Sequence, residues 1–80
     1  MNVSVAIRER ILELCQERGI SVNKLCTISG ITQSTVNNIV SGRNSSTTVA
    51  TIKKICDGLD ITLGEFFSTS AFDALEQEIC

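Results

Sequence analysis

Proline is absent from this chain and strand signals are scarce. The β-branched residues sit at helical rather than alternating spacing, so the pattern points to an all-α fold. Histidine is also absent, and the four cysteines, Cys15, Cys26, Cys56 and Cys80, are scattered with no C-x-x-C pair. Neither a zinc site nor a redox motif is spelled out, and no cofactor is expected. Cys15, Cys26 and Cys56 are expected as small apolar core residues, with Cys80 exposed. Without histidine, and without cysteines or carboxylates clustered at ligand or acid/base spacing, the catalytic classes fall away, and no small-molecule substrate is expected.

No apolar run approaches the roughly 18 residues that span a bilayer. The start, MNVSVAIRER, lacks the basic region ahead of an apolar core that marks a signal peptide. A cytoplasmic protein with no membrane partner is expected. Eighty residues make one domain with a modest core and room for one binding surface. That length leaves no space for a sensor domain, so control is expected through abundance or a partner protein.

Acidic side chains are missing from the whole of residues 18 to 56, where Arg18, Lys24, Arg43, Lys53 and Lys54 stand alone. The formal net charge is only -2, because residues 57 to 80 carry six acids and no base. A ligand at close range feels the local field rather than the net charge, so the acid-free block is the part that would face a polyanion. Lys53 and Lys54, adjacent on a helix, read as a solvated face.

Ile7, Ile11, Leu14 and Cys15 form the stripe of an amphipathic helix from about Val5 to Arg18, stopped by Gly19. Ser21 offers an N-cap to a second, short helix that ends near Ser29 against Gly30. Thr32 caps a third, which runs through Ile39 and Val40 to Gly42. SGRNSSTT, residues 41 to 48, is a loop by composition, and Thr48 ends it as the next cap. Ile52, Ile55, Cys56 and Leu59 mark a fourth helix that breaks around Gly58 to Asp60. Thr62 and Glu65 spell a capping box for a fifth. Hydrophobic staples pair Ile20 with Leu25, Ile31 with Val36 and Ile61 with Phe66. No repeat or linker is evident. Residues 1–69 read as the folded domain and 70–80 as an amphipathic tail whose Phe72, Leu75 and Ile79 either fold back on the core or contribute to a dimer, with the dimer favoured.

Two short helices joined by a tight turn containing Gly30 describe a helix-turn-helix, whose second helix enters the major groove while the first lies across the backbone. Gln33, Ser34 and Thr35 stand at the start of that second helix, with Asn37 and Asn38 one turn on. Glutamine and asparagine can bond adenine in bidentate fashion, and serine or threonine can bond several bases or meet a thymine methyl.

From LCTISGITQSTVNNIVSGR (25–43) and TVATIKKICDGLDITLGEFF (48–67), the sequence resembles the phage repressor-like helix-turn-helix domains of the xenobiotic-response-element family. The resemblance implies a compact five-helix lambda-repressor-like bundle. It implies Gln33, Ser34 and Asn38 as base-reading positions, Thr35 and Asn37 on base or phosphate, and Arg43, Asn44 and Ser45 on phosphates. The family often has Gln at the position of Val22 and Glu at that of Lys24. Val22 cannot make the phosphate bond that Gln makes, and Lys24 is expected to face a phosphate despite opposing the helix dipole. The expected function is a DNA-binding regulator, a repressor acting as a homodimer on a palindromic operator in double-stranded DNA. Relatives of this fold also serve as antitoxins or adaptors that hold a protein partner, and that alternative stays open.

Overall fold

The computed structural model describes residues 2–41 and 47–75. They form helices α1 (Val3–Arg18), α2 (Val22–Ser29), α3 (Gln33–Val40), α4 (Val49–Leu59), α5 (Leu63–Phe67) and the short α6 (Ser70–Asp73). No strand occurs among the described residues. The first helix begins at Val3 because Asn2 caps it, its Oδ1 accepting from Val5 N at 2.9 Å. The expected start at Val5 passed over that asparagine. The expected caps Ser21, Thr32, Thr48 and Thr62 all stand where the sequence placed them, each side chain accepting from the backbone N–H three residues on.

The helix ends share one construction. In CQERGIS (15–21), CTISGIT (26–32) and CDGLDIT (56–62), the helix closes on a left-handed residue, Gly19, Gly30 or Asp60. The isoleucine that follows donates its N–H back to the cysteine carbonyl, Ile20 to Cys15 at 3.0 Å, Ile31 to Cys26 at 3.3 Å and Ile61 to Cys56 at 3.0 Å. This is the 6→1 bond of a Schellman close. The same isoleucine then becomes the outer half of the next helix's staple, whose inner halves, Leu25, Val36 and Phe66, are fully buried. Each junction thus ends one helix, starts the next and adds a buried side chain to the core, which contributes about 1.5–3 kcal/mol where a large aliphatic or aromatic is removed from water. The sequence shows the staples at once. It hides the seven-residue repeat around them, because only the first position, Cys, and the sixth, Ile, are identical in all three, while the fifth is Gly or Asp and the seventh Ser or Thr.

Ile11, Leu25, Val36, Ile55, Cys56 and Phe66 form the fully excluded centre, with Ile52, Leu59, Leu14 and Cys15 around them. Cys15, Cys26 and Cys56 are buried as expected, and burial pushes all three thiols up, keeping them protonated. Cys80 lies outside the described residues. In the tail, Phe72 folds back on to the core, its ring centroid 4.9 Å from that of Phe67 and 6.2 Å from that of Phe66. Leu75 is half-buried, and Ile79 lies outside the described residues.

Two contacts brace the frame. Helix α2 lies against α4 where Gly58 meets Ser29, so closely that a Cβ on Gly58 would stand 2.9 Å from Ile28 O and 3.0 Å from Ser29 Cα. Alanine ordinarily stabilises a helix relative to glycine, but here it would have to part the two helices. Arg10 spans from α1 to the end of α5. Its Nε donates to Phe66 O at 2.7 Å and its Nη2 to Glu65 O at 2.9 Å, while Nη1 pairs with Glu13. The guanidinium thereby supplies donors to carbonyls at a helix end, where Glu65 O otherwise has only the 3.4 Å bond from Ser68 N.

Candidate nucleic-acid interface

The turn Gly30-Ile31-Thr32 sets the geometry of the site. Gly30 at φ 68° reverses the chain in a conformation that costs other residues about 1–2 kcal/mol, and Thr32 caps the next helix two residues later. The beginnings of α2 and α3 are thereby brought together. Gln33, the first residue of α3, reaches Asn23 in the first turn of α2 and donates Nε2–H to its Oδ1.

Within α3, Val36 and Ile39 are buried and fix which face points inward. At about 100° per residue, the opposite side is centred on Ser34, with Asn37 and Asn38 on either side of it and Ser41 one turn further. Ser34, Asn37 and Ser41 are exposed and Asn38 is half-buried. Gln33 lies on the flank that adjoins α2, and Thr35 on the other flank. The Thr35 hydroxyl is 2.7 Å from that of Thr32 and half-buried beside the cap. All five sequence-predicted base contacts therefore lie on α3, with Ser34, Asn37 and Asn38 facing outward and Gln33 and Thr35 bonded to neighbours at its edges. Ser41 shares the outward face and was not among them. Its position follows from the same helical spacing carried one residue past the helix.

The face carries amides and hydroxyls and no charge, so positive potential must come from elsewhere. Part of it comes from the helix ends. The first turns of α2, α3 and α4 contain no acidic residue, and each leaves backbone N–H groups and the positive end of its dipole directed outward. Lys24, exposed in the first turn of α2, adds a full charge and makes no ion pair among the described residues; nor does Arg18 at the end of α1. Lys53 differs. It pairs with Asp57 one turn on, a hydrogen bond that raises its pKa, so its charge is offset within α4. Lys54 stands exposed beside it, in keeping with a solvated face. Arg43, Asn44 and Ser45, the expected phosphate contacts of the loop, lie outside the described residues.

Residues 10–71 match the Cro/C1-type HTH DNA-binding domain. The chain belongs to that family. A solved structure agrees: the chain is similar to the crystal structure of the prophage Lp1 protein 11 at 30% sequence identity, with a TM-score of 0.82 over 94% of this chain and 100% of that one. No match is found among curated proteins. Membership makes the α2–turn–α3 unit the helix-turn-helix of a DNA-binding regulator domain. No helix among the described residues is long and apolar enough to cross a membrane.

Proposed function

We propose that this chain is a transcriptional repressor that binds a palindromic operator as a homodimer, laying α3 in the major groove. The observation that carries the proposal is the outward face of α3, an unbroken surface of uncharged hydrogen-bonding groups on a helix whose other face is locked into the core. An α-helix with its side chains is about 10–12 Å across, and a major groove about 12 Å wide admits one such helix. Gln33, Ser34, Asn37 and Asn38 read base edges, with Thr35 set back at the cap. Lys24, Arg43, Asn44 and Ser45 hold phosphates, helped by the starts of α2 and α3.

One copy presents one reading helix and so covers one half-site; two copies with their α3 helices about 34 Å apart match successive turns of a palindrome. Residues 70–80 supply the contact between copies. Because Phe72 packs on Phe66 and Phe67, the side chains left for that contact are Leu75 and Ile79. Occupation of the operator then blocks polymerase.

The test is selection of bound duplexes from a random DNA pool at two salt concentrations. The expected outcome is enrichment of a short inverted repeat, with affinity falling as salt rises by a slope of about -0.9 per phosphate neutralised. Folded protein that enriches no sequence would overturn the proposal and leave the fold to a protein-binding role.

A further inference from the structure

The charges of α1 are sorted by side. Ile7, Ile11 and Leu14 are buried in the core that α1 shares with α2 and α3. At about 100° per residue Arg18 continues their stripe, about 20° round from Ile11. Glu9, Glu13 and Glu17 are exposed, each about 100° or more round from Arg18. Arg18 stands in the buried stripe and is nevertheless exposed, because Gly19 closes the helix there at φ 63° and the core ends with it. Gly19 N–H donates to Gln16 O at 3.1 Å and Ile20 N–H to Cys15 O at 3.0 Å, so the chain turns at once and Ser21 caps α2 three residues after Arg18. A side chain that continues the inner stripe past the core leaves the molecule beside the start of α2. That start has few side chains to offer an anion. Val22 is apolar, and Ser21 Oγ already accepts from Lys24 N at 3.1 Å, which leaves the Lys24 ammonium and free backbone N–H groups.

We propose that Arg18 is a further DNA-binding residue, which brings a guanidinium from the end of α1 to a backbone phosphate at the start of α2. This rests on the reading that lays α3 in the major groove. A guanidinium presents its donors as a planar fork that matches two phosphate oxygens, and Arg18 makes no ion pair among the described residues that would hold it back.

The experiment measures equilibrium binding by the full chain and its Arg18→Gln and Arg18→Lys variants over a range of salt concentrations. The probes are the duplex enriched by selection and a duplex of unrelated sequence, and thermal melting confirms that each variant is folded. Arg18→Gln is expected to weaken both duplexes about tenfold, to lower the slope of log affinity against log salt by about 0.9 and to leave the preference between them unchanged. Arg18→Lys keeps the charge and is expected to keep the wild-type slope and most of the affinity. In the last turn of α1 the same charge also offsets the helix dipole, a role that shifts only the melting temperature. The proposal is overturned if Arg18→Gln melts lower but binds both duplexes with the wild-type affinity and slope. It is equally overturned if Arg18→Gln weakens only the selected duplex, or if Arg18→Lys loses the slope. Wild-type protein that enriches no sequence would instead overturn α3 as the reading helix, an outcome distinct from these.

Discussion

Helices α2, α3 and α4 begin on one pattern and α5 on another. The residue three after the cap is Lys24, Thr35 and Thr51 in the first three and Glu65 in the last. At α5, Thr62 Oγ1 accepts from Glu65 N at 3.0 Å and Glu65 Oε1 accepts from Thr62 N at 3.0 Å, a complete capping box. At α3 and α4 the threonine hydroxyl turns to the cap hydroxyl instead, at 2.7 Å and 3.0 Å, and the first turn holds no acidic residue. A carboxylate there is worth about 0.3–1 kcal/mol through the helix dipole. Three helices forgo that gain and the fourth, only five residues long, takes it and adds the Arg10 guanidinium at its other end. The difference separates helix starts free of acidic residues, which suit the proposed phosphate contacts, from one whose own side chains complete its cap.

Exchanging the two patterns is the sharpest way to break this comparison, and the largest effect is expected in α3. Thr35→Glu builds the capping box that α5 already has, so thermal unfolding should be unchanged or shifted slightly upward. With α3 in the major groove as proposed, the same carboxylate would stand among the phosphates. Like charges juxtaposed across an interface cost several kcal/mol, and a loss of about 2 kcal/mol, roughly 30-fold in affinity, is expected for every duplex. Stability and DNA binding moving in opposite directions would identify the start of α3 as a binding surface. Unchanged affinity would detach it from the interface.

A second, somewhat smaller effect tests the other side. Arg10 donates to two backbone carbonyls with its side chain only 14% exposed, so Arg10→Ala leaves Phe66 O to water, leaves Glu65 O with the 3.4 Å bond from Ser68 N, and frees Glu13. Hydrogen bonds from charged donors are worth about 1.5–3 kcal/mol each. Partial solvation of the freed carbonyls brings the expected loss to about 2 kcal/mol of unfolding free energy, measured by denaturant titration. Affinity of the folded protein for DNA should stay as it was. A fall in affinity without a fall in stability would place this end in the interface as well.

What the sequence discloses and what it hides divide along the same physical line. The caps Ser21, Thr32, Thr48 and Thr62 are legible because each acts on a backbone N–H three residues away, and local chemistry is written locally. The outward face of α3 is legible because Val36 and Ile39 fix its phase. Arg10 is not, since its partners lie 55 and 56 residues further on and only the folded core brings them together. The bond between Gln33 and Asn23 depends on the path of the turn at Gly30, which composition announces without giving the distance between the helix starts. Lys53 falls between these cases. Its partner Asp57 sits at the i,i+4 spacing, but a division of the chain into charge blocks puts the two on opposite sides of a boundary.

The smallest expected effect comes from moving the α3 pattern into α5. Glu65→Thr keeps the bond from residue 65 N to Thr62 Oγ1 and removes the carboxylate that accepts from Thr62 N and faces the helix start. Glu65 is exposed, so solvent and salt screen its interaction with the dipole, and a cost of about 0.5 kcal/mol is expected, read as a small shift in the denaturation midpoint. If α5 is purely a structural end, affinity for DNA should not change, because no phosphate was being repelled. If removing this carboxylate instead tightened binding to all duplexes alike, with a steeper dependence on salt, the start of α5 would lie within reach of the backbone. The capping box would then be a charge the interface tolerates rather than one it never meets, and the contrast between the two ends would be one of degree.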